Sequence, residues 1–153
     1  MENILEKEAN KLLDALRKSF YDKKMVATGK TVNSLRQETT ETGFKIYGGD
    51  WIEFAEFGRG QGVNSSNGKF YQALLEWAKA VGFPEGKVRF LQYYINKFGT
   101  RLHRGQDPRF PGKTQSGVLT DVLNEKYLEN LKEVITFATI TDYKIILRNL
   151  WEQ

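Results

Sequence analysis

The sequence predicts an α+β fold, in which a small antiparallel sheet is flanked by a long N-terminal helix, middle helices and a long C-terminal helix. Three observations support this prediction. Apolar residues recur at helical spacing at the start of the chain, apolar and polar residues alternate near residue 44, and helical spacing returns from residue 70 onward. The length suits one core, so residues 1–153 are predicted to form a single domain.

The first helix is predicted over residues 2 to 24. Its opposite face carries charged and amide side chains, and its apolar positions are Leu5, Ala9, Leu12, Leu13, Leu16 and Phe20. The stretch Thr28-Gly29-Lys30 breaks the helical pattern, and a single helical turn is predicted to follow it through Ser34 and Leu35.

A two-stranded hairpin is predicted in the stretch RQETTETGFKIYGGD, residues 36–50. Its first half is rich in β-branched threonine, Gly43 is a turn residue, and Phe44 and Ile46 alternate with polar neighbours. A lone hairpin is marginal in water, so its apolar face is expected to pack on the first helix or on another sheet.

The next stretch, WIEFAEFGRGQG (residues 51–62), allows a strand or a helical turn. The helical interpretation is preferred because it leaves the carboxylates of Glu53 and Glu56 facing outward, with Trp51, Phe54 and Ala55 facing inward. Two acidic residues beside an arginine and glycines could form the rim of an active site or a surface turn that fits a neighbouring subunit. A mobile, glycine-rich loop is predicted over about residues 58–69.

Three further helices are predicted in the rest of the chain. One runs from Phe70 to Gly82, a second covers residues 88–98, and a long third one begins at Leu119. A second mobile loop is predicted over about residues 100–116, where glycine, proline and arginine are frequent. The β-branched run near residues 136–150 leaves helix and strand both open there.

Composition excludes several classes of protein. The chain has no cysteine, so it can form neither a disulfide nor a thiolate zinc site. No apolar run approaches the roughly 18–20 residues of a membrane span, and the acidic, amphipathic N-terminus does not read as a signal peptide. No membrane partner is therefore expected. The net charge of +4 permits contact with a polyanion but does not require it.

The sequence offers no constellation typical of an enzyme. His103 is the only histidine, and no nucleophile elbow accompanies it. Glu53, Glu56 and Asp50 do not follow a known metal-loop spacing, and the glycine-rich run from Gly58 lacks the lysine-hydroxyl ending of a phosphate loop. We therefore expect no catalytic residue, no metal and no cofactor.

Basic residues concentrate in the second half of the chain. Between positions 87 and 113 only Asp107 opposes them, and they are Lys87, Arg89, Lys97, Arg101, Arg104, Arg109 and Lys113. Such clusters bind phosphate backbones without reading sequence, or dock on acidic patches of a partner protein. Both interpretations stay open. The candidate contact residues are Arg101, His103, Arg104, Arg109 and Lys113, and Tyr93 and Tyr94 could stack on bases.

Several short segments occur in the order found in one known family. Residues 28–35, TGKTVNSL, resemble the "TG-x-L-x-x-S-hydrophobic" segment of the head–tail connector family of tailed phages, also called neck, tail-completion or minor structural proteins. Residues 51–58, WIEFAEFG, resemble the family's "hydrophobic-E-aromatic-G" segment. A subset continues with "GR-x-x-G", a helix containing "W-hydrophobic", a helix ending in "GT" and an SG-hydrophobic start to the last helix. The corresponding residues here are 58–62, 74–78, 95–100 and 116–119.

The resemblance covers roughly residues 28 to 123 and departs from the family at Thr31, where leucine is usual. It implies a non-enzymatic virion subunit, made in the bacterial host cytoplasm and located in the neck or tail. Its partners would be copies of itself in a hexameric or dodecameric ring, the portal and tail proteins, and DNA in the channel.

A cyclic ring needs a heterologous interface. The candidate interface residues are Glu53, Glu56, Arg59 and Gln61, whereas the basic loop is the candidate contact with a neighbouring ring or with DNA. The alternative function is that of a small basic DNA-binding accessory protein. A hydrolase or nuclease is third.

Overall fold

The α+β prediction is confirmed by a computed structural model, which describes residues 2–40, 43–49, 51–62, 68–105, 107, 109 and 112–151. Of residues 2, 3, 142, 143 and 145–151 only the backbone is described. The elements in chain order are α1 (Glu2–Asp22), α2 (Lys30–Ser34), β1 (Arg36–Thr40), β2 (Gly43–Tyr47), α3 (Trp51–Phe57), α4 (Lys69–Val81), a 3₁₀ turn (Glu85–Lys87), α5 (Val88–Phe98), α6 (Arg101–Gly105) and α7 (Glu125–Trp151).

The main core lies between α1, the hairpin and α2. The apolar stripe predicted for α1 is buried, because residues spaced three or four apart share one face of a helix. The members of this core are Leu12, Leu13, Leu16, Phe20, Val32, Leu35 and Val118. Phe44 and Ile46 of β2 pack against it, so the hairpin rests on α1 as its marginal stability requires.

The hairpin is antiparallel and pairs Arg36 with Tyr47 at one end and Thr40 with Gly43 at the other. Gly43 therefore belongs to β2 and does not form the turn. The Arg36 guanidinium lies 5.4 Å from the centre of the Tyr47 ring, which adds a cation–π contact between the paired positions.

The helices α4 and α5 pack on each other as a helical hairpin. The first ends at Gly82, whose left-handed backbone (φ 71°) lets the Phe83 amide donate to the Ala78 carbonyl. The second buries Val88 and Ile95 and ends at Gly99. Two of the basic residues between positions 87 and 113, Arg89 and Lys97, lie on α5.

Two predictions about the later elements need correction. The stretch predicted as a loop over residues 100–116 contains α6, whose Arg104 amide donates to the Thr100 carbonyl. The last helix begins at Glu125, not at Leu119, because the side chain of Asn124 accepts the Tyr127 amide and caps it. Its backbone is helical through Trp151, which resolves the open choice between helix and strand over residues 136–150.

Among the described residues, no helix combines the length and apolar character needed to cross a bilayer.

Candidate functional site

The side chain of Glu56 is fully buried and accepts four hydrogen bonds from a segment about sixty residues later in the chain. Backbone amides donate from Gly117 to Oε1 (3.1 Å) and from Leu119 to Oε2 (2.8 Å). Hydroxyls donate from Ser116 to Oε2 (3.2 Å) and from Thr120 to Oε1 (2.8 Å). The Ser116 amide also donates to the Glu56 carbonyl (2.8 Å). Glu56 therefore fixes residues 116–120 against α3.

The prediction that Glu56 faces outward beside Glu53 is wrong. A buried carboxylate is costly only when it lacks donors, and here four donors replace its water shell. The helix is consequently rotated from the predicted orientation. Glu53 remains exposed, whereas Trp51 and Phe54, which were expected to face inward, are 44% and 37% exposed.

The buried carboxylate of Glu56 is held in its ionised form. Burial alone would raise the pKa of Glu56, but the hydrogen bonds from Leu119, Thr120, Gly117 and Ser116 outweigh it and lower the pKa below its ordinary value. A carboxylate that is ionised and enclosed by its own chain is suited to holding structure, and it presents no surface to a substrate or a neighbour.

Arg59 is also buried and joins the end of α3 to the α5–α6 corner. Its amide donates to the Thr100 hydroxyl (2.8 Å), and its carbonyl accepts the Thr100 amide (2.9 Å). Its guanidinium lies 3.4 Å from the centre of the Phe70 ring, and burial lowers the pKa of the Arg59 side chain. Arg59 was expected in a polar turn at a subunit boundary, but its side chain is placed inside the protomer.

Glycines allow the segment after α3 to lie directly on the α5–α6 corner. A Cβ added at Gly58 (φ 77°) would come within 2.3 Å of the Thr100 hydroxyl and 2.8 Å of the His103 amide. A Cβ at Gly60 would meet the His103 ring at 3.1 Å. The predicted mobile loop over 58–69 is thus packed in its first part, residues 58–60, whereas residues 63–67 lie outside the described part of the chain.

This packing brings two sets of candidate residues together. Gln61, a candidate interface residue, lines a cavity of about 300 Å³ together with three candidate residues of the basic loop, His103, Arg104 and Arg109. The other residues that line this cavity are Tyr94, Phe98 and Asp107. Arg101 and Lys113 are exposed but do not line this cavity, and Glu53 lies instead in an apolar hollow beside α1 and β2.

Charges within the cavity are partly compensated. Arg109 donates to Asp107 from Nη2 (2.6 Å to Oδ2), from Nε (3.0 Å to Oδ1) and from its backbone amide (3.0 Å to Oδ1). These bonds lower the pKa of Asp107 to about 2, and the side-chain bonds raise the pKa of Arg109. Arg104 donates to the Tyr94 hydroxyl (2.8 Å), and its guanidinium lies 5.2 Å from the centre of that ring. Arg104 thereby links α6 to α5.

A row of aromatic side chains along α5 extends the basic surface. Of this row, the sequence analysis predicted Tyr94 but neither Phe90 nor Phe98. The ring centres of Phe90 and Tyr94 lie 6.4 Å apart, and those of Tyr94 and Phe98 lie 4.9 Å apart. Phe98, the last residue of α5, is partly exposed. The spacing of 90, 94 and 98 was the available signal, because residues four apart share a helix face.

A second exposed apolar surface lies on α3. Trp51, Phe54 and Phe57 are all exposed, and the rings of Trp51 and Phe54 lie 6.1 Å apart. Trp51 also lines a groove of about 520 Å³ that continues to Trp77 of α4. A Lys30–Glu76 ion pair (2.6 Å) joins residues that line this groove.

Two further observations bear on function. In the part of the chain that the structure describes, no three histidine, aspartate or glutamate side chains are grouped as a metal ion requires. Comparison of the chain with protein-family models, with curated proteins and with solved structures found no match.

Proposed function

We propose that the protein is a structural subunit of a ring at the head–tail junction of a tailed phage, where it joins the portal or connector to the tail around the DNA channel. The proposal starts from the segments that resemble the connector family. These segments contact one another: residues 51–58 bind residues 116–120 through Glu56, and Arg59 binds Thr100. Val32 and Leu35 share the core with Val118.

The observation that carries the proposal is the exposed aromatic face of α3. Trp51, Phe54 and Phe57 lie outward although α3 itself is fixed by the buried Glu56. A large apolar face on a rigidly held helix is typical of a protein–protein interface. In a cyclic ring this face would meet a different surface of the next subunit.

The interface candidates consequently divide into two groups. Glu53 and Gln61 are exposed and remain candidates for direct contact across the subunit boundary. Glu56 and Arg59 act from inside the protomer, where they hold α3 and the segment after it in position. The basic residues Arg101, His103, Arg104, Arg109 and Lys113 remain candidates for contact with a neighbouring ring or with channel DNA.

The mass of the purified protein in solution tests the ring. Light scattering at low and moderate salt, with and without duplex DNA, is expected to give six or twelve times the chain mass of 17.7 kDa, independent of DNA. The same function assigns the protein to the virion and requires no catalytic residue and no cofactor.

The second candidate function is that of a small basic DNA-binding accessory protein. Its support is the absence of acidic residues from α5 and α6, which carry Arg89, Lys97, Arg101 and Arg104. It predicts a monomer or dimer whose mass shifts only when duplex DNA is added, and whose binding weakens steeply with salt. The light-scattering measurement separates the two functions.

A further inference from the structure

The exposed face of α5 combines aromatic rings with positive charge. Phe90 is 69% exposed and Tyr93 is 58% exposed, which is unusual for large rings on a helix that has a buried side. The Lys97 ammonium lies 5.6 Å from the centre of the Tyr93 ring and 5.3 Å from that of Phe98. The Lys97 charge therefore lies beside two aromatic rings of this face.

The positive charge is local. Residues 87–113 contain seven lysines and arginines and one acidic residue, a net charge of +6, whereas the whole chain carries +4. The rest of the chain is therefore only slightly acidic, at −2. A second copy of this chain offers little complementary charge to such a face, but a nucleic acid strand, with one negative charge per nucleotide, offers a great deal.

We propose that this face binds single-stranded nucleic acid. Bases would stack on Phe90 and Tyr93, and phosphates would be held by Lys97, Arg101 and Arg104. The two chemistries are those that sequence-tolerant single-strand binding requires: π-faces for the bases and a basic track for the backbone.

The aromatic rings favour a single strand over a duplex. Bases in a duplex are stacked on each other, so a duplex would make the phosphate contacts but would not stack on Phe90 and Tyr93. Unstacked bases can lie against both rings. Phe90 and Tyr93 lie three positions apart on α5, about 4.5 Å along the helix axis, so neighbouring bases of one strand can reach both rings.

The test is fluorescence anisotropy with a labelled oligothymidine of about 20 nucleotides, longer than the roughly 4–16 nucleotides that one small domain covers. The same protein is titrated against a labelled duplex of equal length. The wild-type chain is expected to bind the single strand more tightly than the duplex at about 50 mM salt, and both complexes weaken toward about 200 mM.

The double variant Phe90→Ala/Tyr93→Ala is expected to weaken single-strand binding at least about tenfold and to leave duplex binding within about twofold. The chain offers a matched control in Tyr21→Ala/Phe137→Ala, because Tyr21 is 58% exposed and Phe137 is 74% exposed. This control is expected to bind both probes like the wild type. The variant Lys97→Ala/Arg101→Ala should reduce the salt slope of single-strand binding by about 1.4, or about 0.7 for each lost phosphate contact.

Three results would overturn the inference: no single-strand binding at low salt, tighter binding of the duplex, or wild-type affinity in Phe90→Ala/Tyr93→Ala. If that variant instead lost self-association while its affinity stayed unchanged, the face would be a protein interface. Thermal melts of each variant establish that it is folded. The inference does not rest on the ring proposal, since affinity and mass are measured separately.

Discussion

The Oε2 atom of Glu56 accepts the backbone amide of Leu119 at 2.8 Å, across 63 residues of sequence. This contact joins α3 directly to the turn before α7. It belongs to a set of four bonds to the same carboxylate, all made by residues 116–120. The placement of α3, and therefore of its exposed aromatic face, depends on this set.

Replacement of Glu56 by glutamine is expected to destabilise the protein strongly. The NH₂ group of glutamine would face N–H and O–H groups that themselves donate, so some of these donors would lose their acceptor. Hydrogen bonds to a charged group are each worth about 1.5–3 kcal/mol. We expect a loss of at least about 3 kcal/mol in the free energy of unfolding, measured by urea denaturation. Glu53→Gln, an exposed change on the same helix, should stay within about 0.5 kcal/mol. Equal losses in the two variants would contradict this role of Glu56.

The contribution of Glu56 should depend on pH in a defined direction. Its pKa in the folded protein lies below the ordinary value of 4.5, so its stabilising effect is complete above that pH and is lost as the pH falls through the folded-state pKa. The difference in unfolding free energy between the wild type and Glu56→Gln should therefore narrow as the pH falls from 7 through 4.5 and below. Urea titrations across this range measure it. A difference that stays constant or grows in acid would refute the linkage.

Gly58 should tolerate alanine far less well than Gly62. Both glycines have a positive φ, 77° and 70°, so a side chain costs about 1–2 kcal/mol of backbone strain at either position. Only at Gly58 does a Cβ collide with neighbours, the Thr100 hydroxyl and the His103 amide. Thermal or urea unfolding should show a loss of about 3 kcal/mol for Gly58→Ala and about 1 kcal/mol for Gly62→Ala. Similar losses in the two variants would mean that the close packing of Gly58 against Thr100 and His103 adds nothing to the free energy of unfolding.

The aromatic faces of α3 and α5 should have separable effects. Trp51→Ala/Phe54→Ala is expected to shift the protein from ring to smaller species in light scattering, because both rings are exposed in the protomer and would be buried in the assembly. Phe90→Ala/Tyr93→Ala serves as the control and should keep the wild-type mass. If the α3 variant kept the full ring mass, the α3 face would not be the subunit interface.

Local patterns were sufficient to predict most elements of the fold. The stripe from Leu5 to Phe20 predicted α1, and the alternation around Phe44 and Ile46 predicted the hairpin, because each pattern follows from the geometry of its own element. The long-range contacts were not predictable in this way. The orientation of α3 was predicted wrongly because the donors that make a buried Glu56 favourable come from residues 116–120.

The sequence was sufficient to predict the basic character of the candidate site, but not which residues meet there. The cluster of arginines was visible in the sequence, whereas the approach of Gln61 to His103 and Arg104 depends on glycines packing against α6. The short helix α6 was missed because its five residues, RLHRG, carry no amphipathic period and lie in a stretch rich in glycine and proline.

The mass of the purified protein in solution tests the central proposal most directly. Light scattering over a range of protein concentrations, at low and moderate salt, is expected to give a species of six or twelve chains of 17.7 kDa each, with no dependence on DNA. A mass of one chain at the highest soluble concentration, or a mass that changes only when duplex DNA is added, would contradict the ring.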